Sequence, residues 1–510
     1  MVPAEGPAPN SGAVEGGAEP MLGASPSLVA RLGLRPERRI FVNRATALDE
    51  IEAIGFDMDY TLCRYQPELE VLATELAIEH LTRRGYNPAL RALRFDPSFA
   101  IRGLVIDTAR GNLVKMDAHR HVTRAWHGLR VLSDEERRAT YHADPPRLSA
   151  ERWAMTDTLF STPESFLFSH LVDILERETG KPLEPPETRR LYADIRYCID
   201  LVHRDDSLKS AVRADLSRYI ELDPQLPHAL HRLRSAGKTL FVLTNSDMGY
   251  TEAVMSHLLD GRLADYRNWQ DYFHIVWVTA RKPAFFESMA EPFKIADKVY
   301  DQGSRPWLEK ALGVQGDRIL YVGDHIYGDV LKSKSTTGWR TALIVPELEA
   351  EMAALESEGD GIAERSQLED ERFELETALA SAEMNLRAAR RAERRGEGET
   401  SAGEPVRGEP ERVLEREALR SLVADLRGRL ERSAARIVEL SAAIERHHNA
   451  YWGQLLKERH KHSLFGAQMA SYACLYTSRV SNFAAYSPHH TFEPPRDLLP
   501  HERALRRHRH

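Results

Sequence analysis

The sequence has only three cysteines, Cys63, Cys198 and Cys474, spread along 510 residues and never in a CxxC pair. That scarcity excludes a disulfide framework and a thiolate zinc site, and it fits a reducing compartment. Excess positive charge is also missing: 69 Lys and Arg stand against 77 Asp and Glu, a formal net charge of −8. Nothing in that balance draws the chain to nucleic acid or to an anionic membrane surface, so neither is expected as a partner. No apolar run approaches the ~20 residues that span a bilayer. The opening MVPAEGPAPNSGAVEGGAEP lacks the basic start and apolar stretch of a secretory signal. The expectation is a soluble, cytoplasmic protein.

What is present points to several modules, because 510 residues exceed what one hydrophobic core usually organises. Residues 1–38 are rich in Gly, Ala, Pro and Glu without a hydrophobic period and read as a disordered tail. Beyond them, short β-rich apolar runs alternate with helix-like stretches, the pattern of an α/β fold with a doubly wound parallel sheet. The runs are Ile51–Phe56, Thr239–Leu243, Ile275–Val278, Ile319–Val322 and Thr341–Val345, and the first four lead into DMDYT, TNSD, TARKP and GDHIYGD. In an open parallel sheet, ligands bind where such loops gather, beyond the carboxyl ends of the strands.

The stretch between the first run and the second far exceeds the dozen or so residues a crossover needs, which predicts an inserted cap domain. The expected organisation is a catalytic core at 39–70 and 205–348, the cap at 71–204 and a helical coiled-coil insertion at 349–450. A segment at 451–500 regains aromatics and is expected to pack on the core, with a flexible end at 501–510. Within the insertion, Leu368, Leu375, Leu379 and Leu386 recur at helical spacing, as do Leu419, Leu422, Leu426, Leu430, Ile437, Leu440 and Ile444. RRGEGETSAGEPVRGEP between them reads as a linker. An antiparallel hairpin, or one coiled coil per partner, would each hide those stripes. Such insertions more often serve assembly than catalysis, and a homo-oligomer, dimer or tetramer, is expected.

The chemistry starts at Asp57 and Asp59, two carboxylates placed two residues apart after a buried strand. At that spacing both can face one reaction centre, one attacking phosphorus while the other carries a proton. Asp324 and Asp329 in GDHIYGD add hard oxygen donors of the kind Mg2+ takes. His325 is a poorer candidate, since imidazole suits softer metals. Thr244 and Asn245 in TNSD, and Lys282 after a further strand, supply a hydroxyl, an amide and a cation for a phosphate group. Each alone is as consistent with a helix cap or a surface lysine; together, on successive strand ends, they form one pattern.

That ordered pattern resembles the haloacid dehalogenase superfamily. Within it the chain is similar to the cytosolic purine 5'-nucleotidase family in FVNR, GFDMDYTL, DTARGNLVKMD, TNSD, ARKP and GDHIYGDVLKSK, and again in LFGAQMASYACLYTSRVSNF. The resemblance implies Asp57 as nucleophile, Asp59 as general acid and then base, and Thr244, Asn245 and Lys282 as phosphate holders. It implies Mg2+ among Asp57, Asp59, Asp324 and Asp329, and nucleotide contacts from Arg196, Asp200, His203 and Lys209 in the cap. Arg196 and Asp200, four apart, would share a helix face, which is equally the arrangement of an exposed ion pair. The implied activity is Mg2+-dependent hydrolysis of nucleoside 5'-monophosphates, purine ones of the IMP and GMP type, through an aspartyl-phosphate. The alternatives are a phosphatase of the same superfamily acting on another small ester, and a scaffold protein that keeps the fold. The helical insertion and the basic end RALRRHRH depart from the family pattern.

Overall fold

A computed structural model describes residues 35–148, 150–331, 337–399, 409–459 and 461–494. The expected tail up to residue 34, linker positions 400–408, positions 332–334 of GDHIYGDVLKSK and the flexible end 501–510 lie outside the described residues. Among those described, nine strands form the main sheet. In chain order they are β1 (Phe41–Val42), β2 (Ala53–Phe56), β3 (Thr239–Leu243), β4 (Ile275–Val278), β5 (Phe293–Ala296), β6 (Val299–Asp301), β7 (Ile319–Gly323), β8 (Arg340–Ile344) and β9 (Leu475–Thr477). Their spatial order is β1-β9-β8-β7-β2-β3-β4-β6-β5. The seven inner strands run parallel, and only the two edge pairings, β1 with β9 and β5 with β6, are antiparallel.

Burial on both faces explains why the central strands read as unbroken apolar runs: every residue of β2, β4 and β7 is buried. Phe241, Trp277, Phe285, Phe286, Tyr321 and Trp339 form one buried cluster. A second packs Ile326, Val330, Leu343 and Val345 against Phe465 and Met469 of the C-terminal segment, and the register sets Leu343 on the same face of the sheet as Tyr321. That segment does more than cover the core, since β9 pairs in parallel with β8 and extends the sheet. Register places Phe56 opposite both Val242 and Val322, so the strands carrying Asp57, Thr244 and Asp324 end side by side.

The inserted region holds a five-stranded antiparallel sheet, in which Val122–His127, Asn112–Met116 and Val105–Asp107 lie between Arg130–Val131 and Trp153–Met155. Its helices include Glu68–Arg83, Thr162–Thr179 and Pro185–Arg204. The first of these already begins at Glu68, so it straddles the expected start of the cap at residue 71. The buried Lys115 ammonium donates to the carbonyls of Trp452 (2.8 Å), Gln454 (2.6 Å) and Lys457 (3.0 Å), tying this sheet to the C-terminal segment.

Of the two arrangements open for the insertion, the chain adopts the hairpin. Helices Gly359–Glu399 and Glu409–Arg446 close on Leu375, Ala382, Leu386, Val423 and Leu426. Ion pairs Arg436–Glu364 (2.7 Å) and Arg429–Glu371 (2.9 Å) stitch it in antiparallel register. The first helix runs through residues 394–399, which the Gly and Glu content had marked as linker. Leu422, expected in the buried stripe, is 45% exposed. Among the described residues, no helix is long and apolar enough to cross a membrane.

Candidate active site

Asp57 is the first residue beyond β2, and its backbone N–H still bonds the Val322 carbonyl of β7 (2.9 Å). Its carboxylate is nearly buried, accepting from the Met58 N–H (2.8 Å) and facing the Lys282 ammonium (3.0 Å). Lys282 also reaches Asp329 Oδ1 (2.7 Å) and donates to the Tyr321 hydroxyl (2.8 Å). The loop that carries it is pinned rather than free: the N–H groups of Thr279 and Ala280 bond the Ser246 and Thr244 carbonyls, each at 2.9 Å. Thr279 and Arg281 both take positive φ (48° and 57°), a backbone cost tolerated where the surroundings fix the loop.

Asp324 follows β7, and Asp329 sits one turn later, its Oδ2 accepting from the His325 N–H (3.2 Å). Gly323 has to be glycine, because a Cβ there would come within 2.5 Å of the Asp329 carboxylate. Oxygens of Asp57, Asp324 and Asp329 all lie within 4.8 Å of one another, and all three residues are buried. Burial lifts the Asp57 carboxyl to about 7; Lys282 pulls it down, while Asp329 and Asp59 push it up. Asp324 is raised well above the ordinary carboxylate range, first by burial and then by Asp329 and Asp57. Burial alone would lower the Lys282 ammonium, but Asp329 and Asp57 outweigh it and hold it well above its usual range.

Three buried carboxylates thus gather beside the Lys282 ammonium and the Arg102 guanidinium, the latter already paired with Glu347, and Asp324 Oδ2 is buried without a hydrogen-bond partner. An all-oxygen donor set with uncompensated negative charge and an unsatisfied oxygen fits a hard divalent cation such as Mg2+. Asp59, expected in the same set, has its side chain elsewhere. Its Oδ1 accepts from the Tyr65 hydroxyl (2.6 Å) and its Oδ2 from the Ser246 hydroxyl (2.9 Å). The strand ends before this point and Tyr60 adopts φ 51°, so the i, i+2 alternation that would aim both carboxylates at one spot does not persist. Burial raises the Asp59 carboxyl, and the Tyr65 and Ser246 hydrogen bonds oppose that rise. The two acids therefore occupy different settings, one against charges and one against hydroxyls.

Thr244 is fully buried, its hydroxyl accepting from the Ser246 N–H (3.1 Å). Asn245 differs from expectation: its side chain exchanges two hydrogen bonds with the Lys282 backbone, Nδ2 to the carbonyl (3.1 Å) and Oδ1 from the N–H (2.6 Å). The amide is committed to holding the Lys282 loop. His325 Nδ1 accepts from the Gly328 N–H (3.1 Å), and its Nε2 lies 3.8 Å from Asp157.

The cap residues divide into two groups. Arg196 pairs with the buried Glu164 (2.9 Å) and with Asp200 (3.3 Å), so the i, i+4 pair exists but is anchored from below. His203 stacks edge-on to Phe160, which in turn meets Tyr60 and Tyr65 of the Asp57 loop. Burial pushes the His203 imidazole down to about 4. Lys209 bonds Asp247 (2.6 Å) and lies over the Tyr250 ring. Sequence reasoning missed Phe160, Glu164, Tyr65, Tyr250 and Arg102. Arg102, nearly fully buried, donates to the Asp324 carbonyl (2.8 Å) and forks onto Glu347 (2.8 and 2.6 Å). Ser246 stood within TNSD and was the one partner a motif could have revealed; the others carry no spacing signal.

A model of the 5' nucleotidase family matches residues 40–504. A 5'-nucleotidase domain-containing protein of Dictyostelium discoideum is 29% identical over 489 residues, which cover 91% of this chain and 74% of that protein. Among solved structures, a predicted phosphoglycolate phosphatase from Haemophilus somnus 129pt aligns at 14% identity with a TM-score of 0.26, covering 58% of this chain and 86% of that one. CbbY from Rhodobacter sphaeroides, in complex with phosphate, aligns at 15% identity with a TM-score of 0.25 over 58% and 86%.

Proposed function

The chain belongs to the 5' nucleotidase family and is therefore a phosphoric monoester hydrolase acting on a nucleotide; from that premise we propose that it hydrolyses nucleoside 5'-monophosphates, purine ones foremost, through an aspartyl-phosphate on Asp57. The observation that carries this reading is the separation of the two first-loop acids. Asp57 lies against Lys282 (3.0 Å), while Asp59 is held by Tyr65 and Ser246. Paired acids in unlike surroundings are suited to unlike roles.

In the proposed reaction an Asp57 oxygen attacks phosphorus, the bond from phosphorus to the 5'-oxygen breaks, and Asp59 gives that oxygen a proton. Water then attacks the acyl phosphate, returns a proton to Asp59 and frees phosphate. Lys282 supplies fixed positive charge beside the reacting phosphoryl group, with Thr244 at the neighbouring strand end. Asn245 contributes by holding the Lys282 loop. Mg2+ held by Asp57, Asp324 and Asp329 would neutralise charge that develops on the phosphoryl oxygens. Arg196, Asp200, His203 and Lys209 are assigned to the nucleoside, with the Phe160 ring as a further apolar surface beside His203. The reading includes a cytoplasmic homo-oligomer, supported by Phe373 and Val438, which stand 73% and 68% exposed on the hairpin.

Phosphate release from a panel of nucleoside monophosphates and sugar phosphates, in Mg2+ and in chelator, tests it. Metal-dependent release concentrated on IMP and GMP is expected. Preference for sugar phosphates would discard the substrate, and no release from any ester would discard the activity.

A further inference from the structure

We propose that Tyr65 is a positioning residue for Asp59, fixing the carboxyl group in the orientation from which its proton passes to the departing oxygen. The inference rests on the function proposed above. Tyr65 belongs to a two-residue strand, Arg64–Tyr65, paired with Ile220–Glu221, so its backbone is fixed at the point where the chain leaves the catalytic loop. Its ring is buried at 7% exposure and packs edge-on to Tyr60 at 5.1 Å. The hydroxyl that projects from this packing meets Asp59 Oδ1 at 2.6 Å and the Tyr250 hydroxyl at 3.0 Å, with the Cys63 thiol also in hydrogen-bond reach.

A phenol has one proton to give. With that proton on Asp59 Oδ1, Tyr250 donates to Tyr65, and the chain of donors has one direction. As ionised, Asp59 accepts at both oxygens, from Tyr65 at Oδ1 and from the Ser246 hydroxyl at Oδ2 (2.9 Å). When Asp59 takes up a proton, the shorter Tyr65 bond keeps Oδ1 an acceptor, so the proton resides on Oδ2 and the Ser246 hydroxyl turns to accept it. When it moves, the Oδ2–H bond breaks, a bond to the leaving 5'-oxygen forms, and the carboxylate left behind keeps the Tyr65 hydrogen bond. Beyond Tyr250 the chain reaches the cap side. The Lys209 ammonium lies 5.3 Å from the Tyr250 ring centre and bonds Asp247, which also accepts from the Tyr250 N–H (2.9 Å). A residue assigned to the nucleotide is thus one ring away from the group that orients the acid.

The test is kcat/KM across phosphate monoesters whose leaving groups run from p-nitrophenolate to the alkoxide of a nucleoside, for wild type, Asp59→Asn, Tyr65→Phe and Tyr250→Phe. This ratio reports steps up to phosphorylation of Asp57, so the later hydrolysis does not enter. A good leaving group departs without a proton, whereas an alkoxide needs one. General acid catalysis typically contributes about 10²–10⁴-fold, and mispositioning the acid should forfeit about 10- to 100-fold of it on a nucleoside monophosphate, with a much smaller loss on p-nitrophenyl phosphate. A uniform loss across the series would reduce Tyr65 to a packing residue and overturn the proposal, as would no loss. If Tyr65→Phe fails to fold by circular dichroism, Tyr250→Phe carries the test with a smaller loss of the same leaving-group dependence, and a uniform loss there overturns the proposal equally. Failure of the underlying function looks different: Asp59→Asn itself would then show no leaving-group dependence.

Discussion

The catalytic end of the sheet and the helical hairpin are both rich in charge, yet they spend it in opposite ways. At the sheet end, buried Asp57 and Asp329 both meet the Lys282 ammonium, and buried Asp324 lies within 4.8 Å of both acids with Arg102 as its nearest cation. In the hairpin, Arg436, Glu364, Arg429 and Glu371 sit 43–48% exposed, in pairs of opposite sign. Water screens the second set, so each pair adds little to stability; burial magnifies the first, so every charge there matters. The difference separates charges held together away from water from charges that water already satisfies.

The sharpest way to break the comparison is Asp57→Asn. As the proposed nucleophile it should lose on the order of 10⁴-fold or more in phosphate release, with the fold retained. Lys282→Met comes next, because it leaves Asp57 and Asp329 facing each other without their shared cation. Removing one partner of a buried pair costs about 3–5 kcal/mol, readable by urea unfolding in chelator at pH 8.

The third prediction uses pH. Burial raises Asp57 from 3.8 to about 7, so the folded state binds a proton that the unfolded state releases. Its contribution is fully present below about 4 and is lost as pH rises through about 7, an effect of up to about 4 kcal/mol. In chelator, the wild-type melting midpoint should therefore fall over that window. Asp57→Asn should flatten the slope, and added Mg2+ should restore the midpoint at the upper end. The smallest effect belongs to the hairpin, where Arg436→Ala should leave the melting midpoint unchanged within error. Leu426→Ala, at a site 5% exposed inside the hairpin, should cost about 2–3 kcal/mol by the same measurement, showing that the hairpin depends on its apolar seam rather than its ion pairs.

The legible parts of the fold were those with a local signature. All five apolar runs became strands because central parallel strands are buried on both faces and must be apolar throughout. The edge strands were illegible: β1 has two residues, β5 is exposed at every position, and β9 is defined by a partner far away in sequence. In the site, Asp57, Thr244, Lys282, Asp324 and Asp329 converge because each follows a strand whose end the sheet register aligns. The Asp59 carboxylate, expected beside the other acids, points instead to the Tyr65 and Ser246 hydroxyls, because the strand has ended and the chain is already turning, with Tyr60 left-handed. Asn245 has the residue type of a phosphate donor, but its geometry serves a neighbouring loop. Tyr65, Tyr250 and Arg102 act through tertiary contacts that no spacing rule encodes.

The pairing of β1 with β9 sets an order in time as well as in space. Some 430 residues separate Asn43 from Ala473, whose carbonyl its side chain bonds next to that pairing. At roughly 5–20 residues per second, a ribosome takes about 20 to 90 s to deliver the second after the first. During that interval β2, β3, β4, β7 and β8 can assemble with the catalytic loops, while the β8 edge stays open and β1 waits for a strand not yet made. Until residues 475–477 emerge, the nascent chain thus carries an unpaired sheet edge at β8 beside the loops of the candidate site, the kind of edge that templates aggregation.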